Sequence, residues 1–215
     1  MKGSRFTILI LAALATAACS DSLPTSTTAD LSPSYSADKS DVSGNKLQCF
    51  QGIDDGVNGT CTLIANGATL NTVDGDGDPY NNYAGVYIPS NLGGKLLSDV
   101  NKLSFDYSGN GAAGGSPRIS LPIDENNDGT VEQYAFIDTQ GCNNGDANTG
   151  TLDAMNDATC TVWYNNVSYA NWAAFVSTNP TYRVANRTTF IIVDAPGTFT
   201  ITNIQLGKAT AKSRP

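Results

Sequence analysis

Histidine is absent from the 215-residue chain. Its absence excludes Ser-His-Asp and Cys-His nucleophile arrangements, His-ligated zinc and any imidazole acid or base near neutral pH. Glutamate is almost absent: of 20 acidic residues, 18 are Asp, and only Glu125 and Glu132 are Glu. Basic residues are few, 12 Lys and Arg, giving a formal net charge of −8. So few cations supply no phosphate-binding face, which argues against a nucleic-acid partner. Scarcity of Lys, Arg and Glu also leaves the chain poor in charged helix formers. In their place stand 21 Gly and 21 Asn, the composition of a loop-rich chain. No internal repeat of solenoid or propeller length is visible.

The start of the chain has the layout of an export signal. Lys2 and Arg5 precede the apolar run Phe6 to Leu14, and small residues follow up to Cys19. That run is too short to span a bilayer as a helix. The segment Thr16-Ala17-Ala18-Cys19 resembles the lipobox of bacterial lipoproteins, with Thr16 where the family usually has Leu. The resemblance implies cleavage after residue 18, diacylation of Cys19 and, with Ser20 following, a place at the outer membrane or cell surface. The expected segments are a signal peptide over 1–18, a lipid-anchored tether over 19–45, a folded domain over 46–208 and a disordered tail over 209–215. The tether is rich in Ser, Thr, Asp and Pro and lacks the apolar residues of a core. Removing the signal leaves 10 bases against 20 acids. Anionic lipid repels such a chain, so contact with a membrane would run through the lipid anchor only.

Five cysteines is an odd number for an exported chain. Assigning Cys19 to lipid leaves Cys49, Cys61, Cys142 and Cys160, which allow three pairings. Local pairing, Cys49 with Cys61 and Cys142 with Cys160, is the economical choice.

From residue 46 onward, β-branched and aromatic runs alternate with Asn/Gly/Asp clusters. Strands are expected near 47–51, 60–65, 84–88, 102–107, 118–123, 131–138, 160–164, 188–194 and 198–206. Leu103, Phe105 and Tyr107 alternate onto one face, while Phe199, Ile201 and Ile204 trace another. The continuous apolar run Thr188 to Val193 suits a central strand buried on both sides. Only 93–100 and 171–177 read as helical. The fold class is therefore all-β, an antiparallel two-sheet β-sandwich with at most one or two short helices. The stretches Leu103-Ser-Phe-Asp-Tyr-Ser, Gly115-Ser-Pro-Arg-Ile-Ser-Leu and Phe199-Thr-Ile-Thr-Asn-Ile-Gln-Leu-Gly207 resemble strands of secreted bacterial jelly rolls, among them carbohydrate-binding modules. That resemblance implies a jelly-roll-like sandwich with a polysaccharide or glycan as partner.

Oxygen donors dominate the candidate sites. Asp124, Asn126, Asp128 and Gly129 fit D-x-[DN]-x-[DN]-G, in which alternating oxygens converge on a calcium ion. Thr130 and Glu132 stand where further ligands fall, but the twelfth position is Ala135 rather than a bidentate Glu, so the loop is no EF-hand. The same residues also build a plain polar hairpin turn. Asp74, Asp76 and Asp78, separated by glycines, form a second candidate Ca2+ cluster. Tyr80, Tyr83 and Tyr169 are the candidate glycan-stacking residues. Trp163 and Trp172 read as core, and Arg118 as one half of a buried ion pair with a partner such as Asp106 or Asp138. No spacing marks a catalytic pair. Three functions compete: a carbohydrate-binding-like envelope lipoprotein, a structural or adhesive envelope protein, and a polysaccharide-active hydrolase or lyase.

Overall fold

The computed structural model describes residues 47–54, 57–73, 82–111, 115–142, 148–207 and 209–210. Cys19, the tether, Asp74, Asp76, Asp78 and Tyr80 lie outside the described residues. The chain folds into two antiparallel sheets, as expected from the sequence. The larger has the order β11-β10-β8-β7-β13-β5-β1-β2, with β12 also pairing β7. Its strands are β1 (Gln48–Asp54), β2 (Val57–Asn58), β5 (Tyr83–Ile88), β7 (Arg118–Asp124), β8 (Gln133–Asp138), β10 (Val162–Tyr164), β11 (Val167–Tyr169), β12 (Arg183–Val184) and β13 (Thr189–Val193). The smaller has the order β3-β4-β14-β6-β9, with β15 pairing β14. It comprises β3 (Thr60–Ile64), β4 (Gly67–Thr72), β6 (Leu103–Asn110), β9 (Thr149–Asp153), β14 (Gly197–Leu206) and β15 (Ala209–Thr210). Residues 209 and 210, assigned by sequence to the tail, thus pair with β14.

Period-two alternation sets the core. Leu103, Phe105 and Tyr107 of β6 and Phe199, Ile201, Ile204 and Leu206 of β14 meet Val86, Ile88, Ile119, Leu121, Ile137, Ile191 and Val193 from the larger sheet. Each such fully buried side chain contributes about 1.5–3 kcal/mol. On β14 the alternation skips one residue, because a bulge lies between Thr202 and Gln205 and Asn203 adopts φ 49°. The extra residue restores Ile204 and Leu206 to the inner face. All five residues of β13 are buried, as the apolar run implied. Ile191 and Val193 face the core, while Phe190 and Ile192 join a second cluster with Phe50 on the outer face of the larger sheet.

Of the two expected helices, 171–177 forms α1 (Trp172–Thr178), whose N-terminus Asn171 caps by accepting from Ala174 N at 2.9 Å. Segment 93–100 yields only a 3-10 turn at Leu97–Asp99. The cysteines pair locally. Cys49–Cys61 joins β1 to β3 and so links the two sheets, and Cys142–Cys160 ties the segment after β8 to the approach of β10.

Candidate functional site

Strand β7 ends on Asp124 and β8 begins at Gln133, so the acidic motif is the connection between two paired strands. Asp124 is 1% exposed. Its Oδ1 accepts from the backbone N–H groups of Asn127 (2.6 Å) and Asp128 (3.2 Å), and its Oδ2 from Gly129 (2.8 Å). Asn127 and Gly129 have φ of 65° and 85°, the left-handed conformations that Asn and Gly supply most readily. Asn126 Oδ1 accepts from Asp128 N at 3.0 Å. The hydroxyl and backbone N–H of Thr130 both donate to Asp128 Oδ1, at 2.6 and 2.7 Å, and hold that carboxyl below the ordinary carboxylate range. Glu132 Oε2 accepts from Glu125 N at 2.8 Å. The five ligands predicted for this motif, Asp124, Asn126, Asp128, Thr130 and Glu132, therefore share one turn. Asp124, Asp128 and Glu132 each place one carboxylate oxygen within 4.8 Å of the others, a convergence of hard oxygen donors that suits a divalent cation.

Glu125, not singled out from the sequence, turns away from this cluster and accepts the hydroxyls of Tyr164 and Tyr182. Burial first, and the Glu125 carboxylate second, raise both tyrosines above the ordinary phenol value. Phe175 of α1 packs on Tyr164 and Tyr169 at 5.3 and 5.0 Å between ring centroids.

The outer face of the larger sheet carries a different surface. Cross-strand register places Tyr87, Phe190, Ser120, Phe136 and Trp163 in one row over five neighbouring strands. Rings pack along this row and beside it: Phe50 with Tyr87 (4.4 Å), Tyr87 with Phe190 (6.0 Å) and Tyr134 with Phe190 (5.3 Å). Gly85 is required here, since the Phe50 ring occupies the space a Cβ would fill. Arg118 lies 5.0 Å over the Phe136 ring and makes a two-pronged contact with Asp194, which also accepts from the Ser116 hydroxyl. The buried ion pair is thus present with Asp194 as partner, not Asp106 or Asp138. Asp106 lies on the other sheet, where it accepts from Thr151, and Asp138 Oδ1 accepts from Gly141 N. Burial pushes the Tyr134 hydroxyl up, against the pull of the Arg187 that hydrogen-bonds it.

Of the tyrosines predicted to bind glycan, the two among the described residues, Tyr83 and Tyr169, do not come together. Tyr83 is on the outer face, half-buried with its ring 6.2 Å from Phe50. Tyr169 pairs with the inward-facing Val162 and packs against the core, on the opposite side of the sheet. Trp172 is buried, as expected, but Trp163 is 47% exposed and not core. Its neighbours Val162 and Tyr164 take the inward positions, and strand alternation turns Trp163 outward. No family model, curated protein or solved structure matches the chain.

Proposed function

We propose that this chain is an exported, lipid-anchored envelope protein whose β-sandwich binds a polysaccharide on the outer face of its larger sheet, with Ca2+ steadying the turn between β7 and β8. The observation that carries the reading is the aromatic row that ends on the exposed Trp163. Sugar rings present apolar faces that stack on aromatic side chains, and their hydroxyls need polar partners close by. Neighbouring strands repeat at roughly 4.8 Å, so a row across them presents a line of contacts suited to an extended chain. Cys19 and the following tether support display at an envelope surface, and the oxygen cluster of Asp124, Asp128 and Glu132 supports the calcium.

The test is retardation of the protein in native gels that contain dissolved polysaccharide. Trp163→Ala removes an exposed ring and little packing, so the variant should melt as the wild type does. Its affinity should fall about tenfold, the equivalent of one aromatic contact. A wild-type protein that migrates alike in every gel sinks the reading.

A further inference from the structure

Two buried polar atoms on the outer face of the larger sheet have no hydrogen-bond partner among the described residues, Arg118 Nε and Ser120 Oγ. Arg118 is 8% exposed and Ser120 0%. They stand two residues apart on β7 and so share one face, roughly 7 Å apart. Buried donors are ordinarily paired, so two orphans side by side in an aromatic surface require an explanation. Strand β7 lies between β13 and β8, and the Tyr134 ring of β8 reaches the Phe190 ring of β13 at 5.3 Å. Tyr134 stands opposite Pro122 and Phe190 opposite Ser120, so this ring contact crosses β7 between Pro122 and Ser120. Tyr134 is half-buried and held by Arg187. Ser120 stands beside this ring, in register between Phe190 and Phe136.

We infer that the ligand is a neutral polysaccharide and that, with the Tyr134 ring turned aside, Ser120 Oγ and Arg118 Nε bind a pair of its hydroxyls in the gap of the aromatic row at Ser120. The inference rests on the glycan reading and names the ligand's class and its polar contacts. Arg118 Nε only donates, whereas a serine hydroxyl donates and accepts. Two neighbouring sugar hydroxyls match that set, and the flanking rings take the apolar face of the same sugar. An acidic sugar does not match. Both terminal nitrogens of Arg118 are engaged by Asp194, and Asp138 stands opposite Arg118 on β8. A ligand carboxylate would therefore join two carboxylates around one guanidinium.

The experiment is affinity electrophoresis of the whole protein through gels containing xylan, galactomannan or mixed-linkage β-glucan as neutral probes, and alginate or polygalacturonate as anionic ones. At least one neutral polymer should retard the wild type, and neither anionic polymer should. Ser120→Ala should lower the affinity about five- to tenfold, the value of one hydrogen bond, while the melting temperature holds or rises because an unsatisfied hydroxyl is gone. Ser120→Cys, of similar size and a weaker donor, should fall between the two. Thr189→Val is the control: Thr189 Oγ1 is also buried and unpartnered, but it points into the core with Ile191 and Val193. It should leave retardation unchanged. Wild-type affinity in Ser120→Ala, or retardation by the anionic polymers alone, overturns the inference. If Trp163→Ala loses binding while both Ser120 variants keep it, the glycan reading survives and this inference does not. No retardation of the wild type by any polymer ends both.

Discussion

Glu125 shows how one carboxylate organises its surroundings when the chain has so few of its kind. Two phenols converge on it, Tyr164 from β10 and Tyr182 from the segment before β12, and both are raised above their ordinary value by burial and by Glu125. Above a pH of about 10 an unfolded chain releases phenolic protons that the folded protein keeps. The folded state is then disfavoured, so the stability these tyrosines contribute is complete below that pH and is lost as the pH rises further. Urea unfolding at pH 8, 9.5 and 10.5 should show this decline, and Tyr164→Phe should make it shallower. Equal slopes in the two proteins would mean that Tyr164 titrates alike folded and unfolded. At this scale the sequence revealed the residues whose partners are local. Asp124, Asp128 and Glu132 converge because they sit in one turn. Arg118 and Asp194 are 76 positions apart, and nothing in the spacing of an acid-rich chain selects Asp194 over Asp106 or Asp138. The outward position of Trp163 was legible from Val162-Trp163-Tyr164, once strand alternation is given more weight than the general tendency of Trp to be buried.

Among elements, the longer strands of β-branched and aromatic residues were readable, while the small-residue β4, the Gly/Thr-rich β9 and the short β2, β11, β12 and β15 were not. β4 reads Gly-Ala-Thr-Leu-Asn-Thr, which local preference assigns to a loop, yet it lies between β3 and β14 with Ala68 and Leu70 in the core. Its smallness is what the position demands, since a Cβ on Gly67 would run into the Ile201 carbonyl of β14. The expected strand over 131–138 starts instead at Gln133, because Glu132 is drawn into the acidic turn by the backbone N–H of Glu125. That turn is also where the element scale makes its own prediction. If Ca2+ bridges Asp124, Asp128 and Glu132, a calcium concentration a hundred times the dissociation constant stabilises the fold by about 2.7 kcal/mol. Calorimetry should detect binding, and chelator should lower the melting temperature. Asp128→Asn should remove both effects while leaving the metal-free fold intact, since Asp128 is exposed and Asp124 holds the turn. Identical melting with calcium and with chelator would show that the motif is a turn and nothing more.

For the molecule as a whole, the two disulfides have different tasks. Their closed segments are of similar length, 12 and 18 residues, so each should contribute on the order of 3 kcal/mol by constraining the unfolded chain. Cys142 and Cys160 are buried, whereas Cys49 and Cys61 are not. The paired replacement Cys142→Ser with Cys160→Ser should therefore cost more in chemical unfolding than Cys49→Ser with Cys61→Ser, because it also buries two hydroxyls. The opposite order would show that the inter-sheet link matters more than its chain entropy suggests. If the proposed anchor holds the protein by its leading segment, that link has a mechanical meaning. Tension arriving from residues before Leu47 enters the domain at the first residues of β1 and pulls that strand away from β5 one pair at a time, starting at Gln48 and Tyr87. The next residue along is Cys49, whose bond to Cys61 passes the load into β3 and hence into the other sheet. The zipper would stop after one pair, and a pull on such an anchor would be borne by both walls of the sandwich at once.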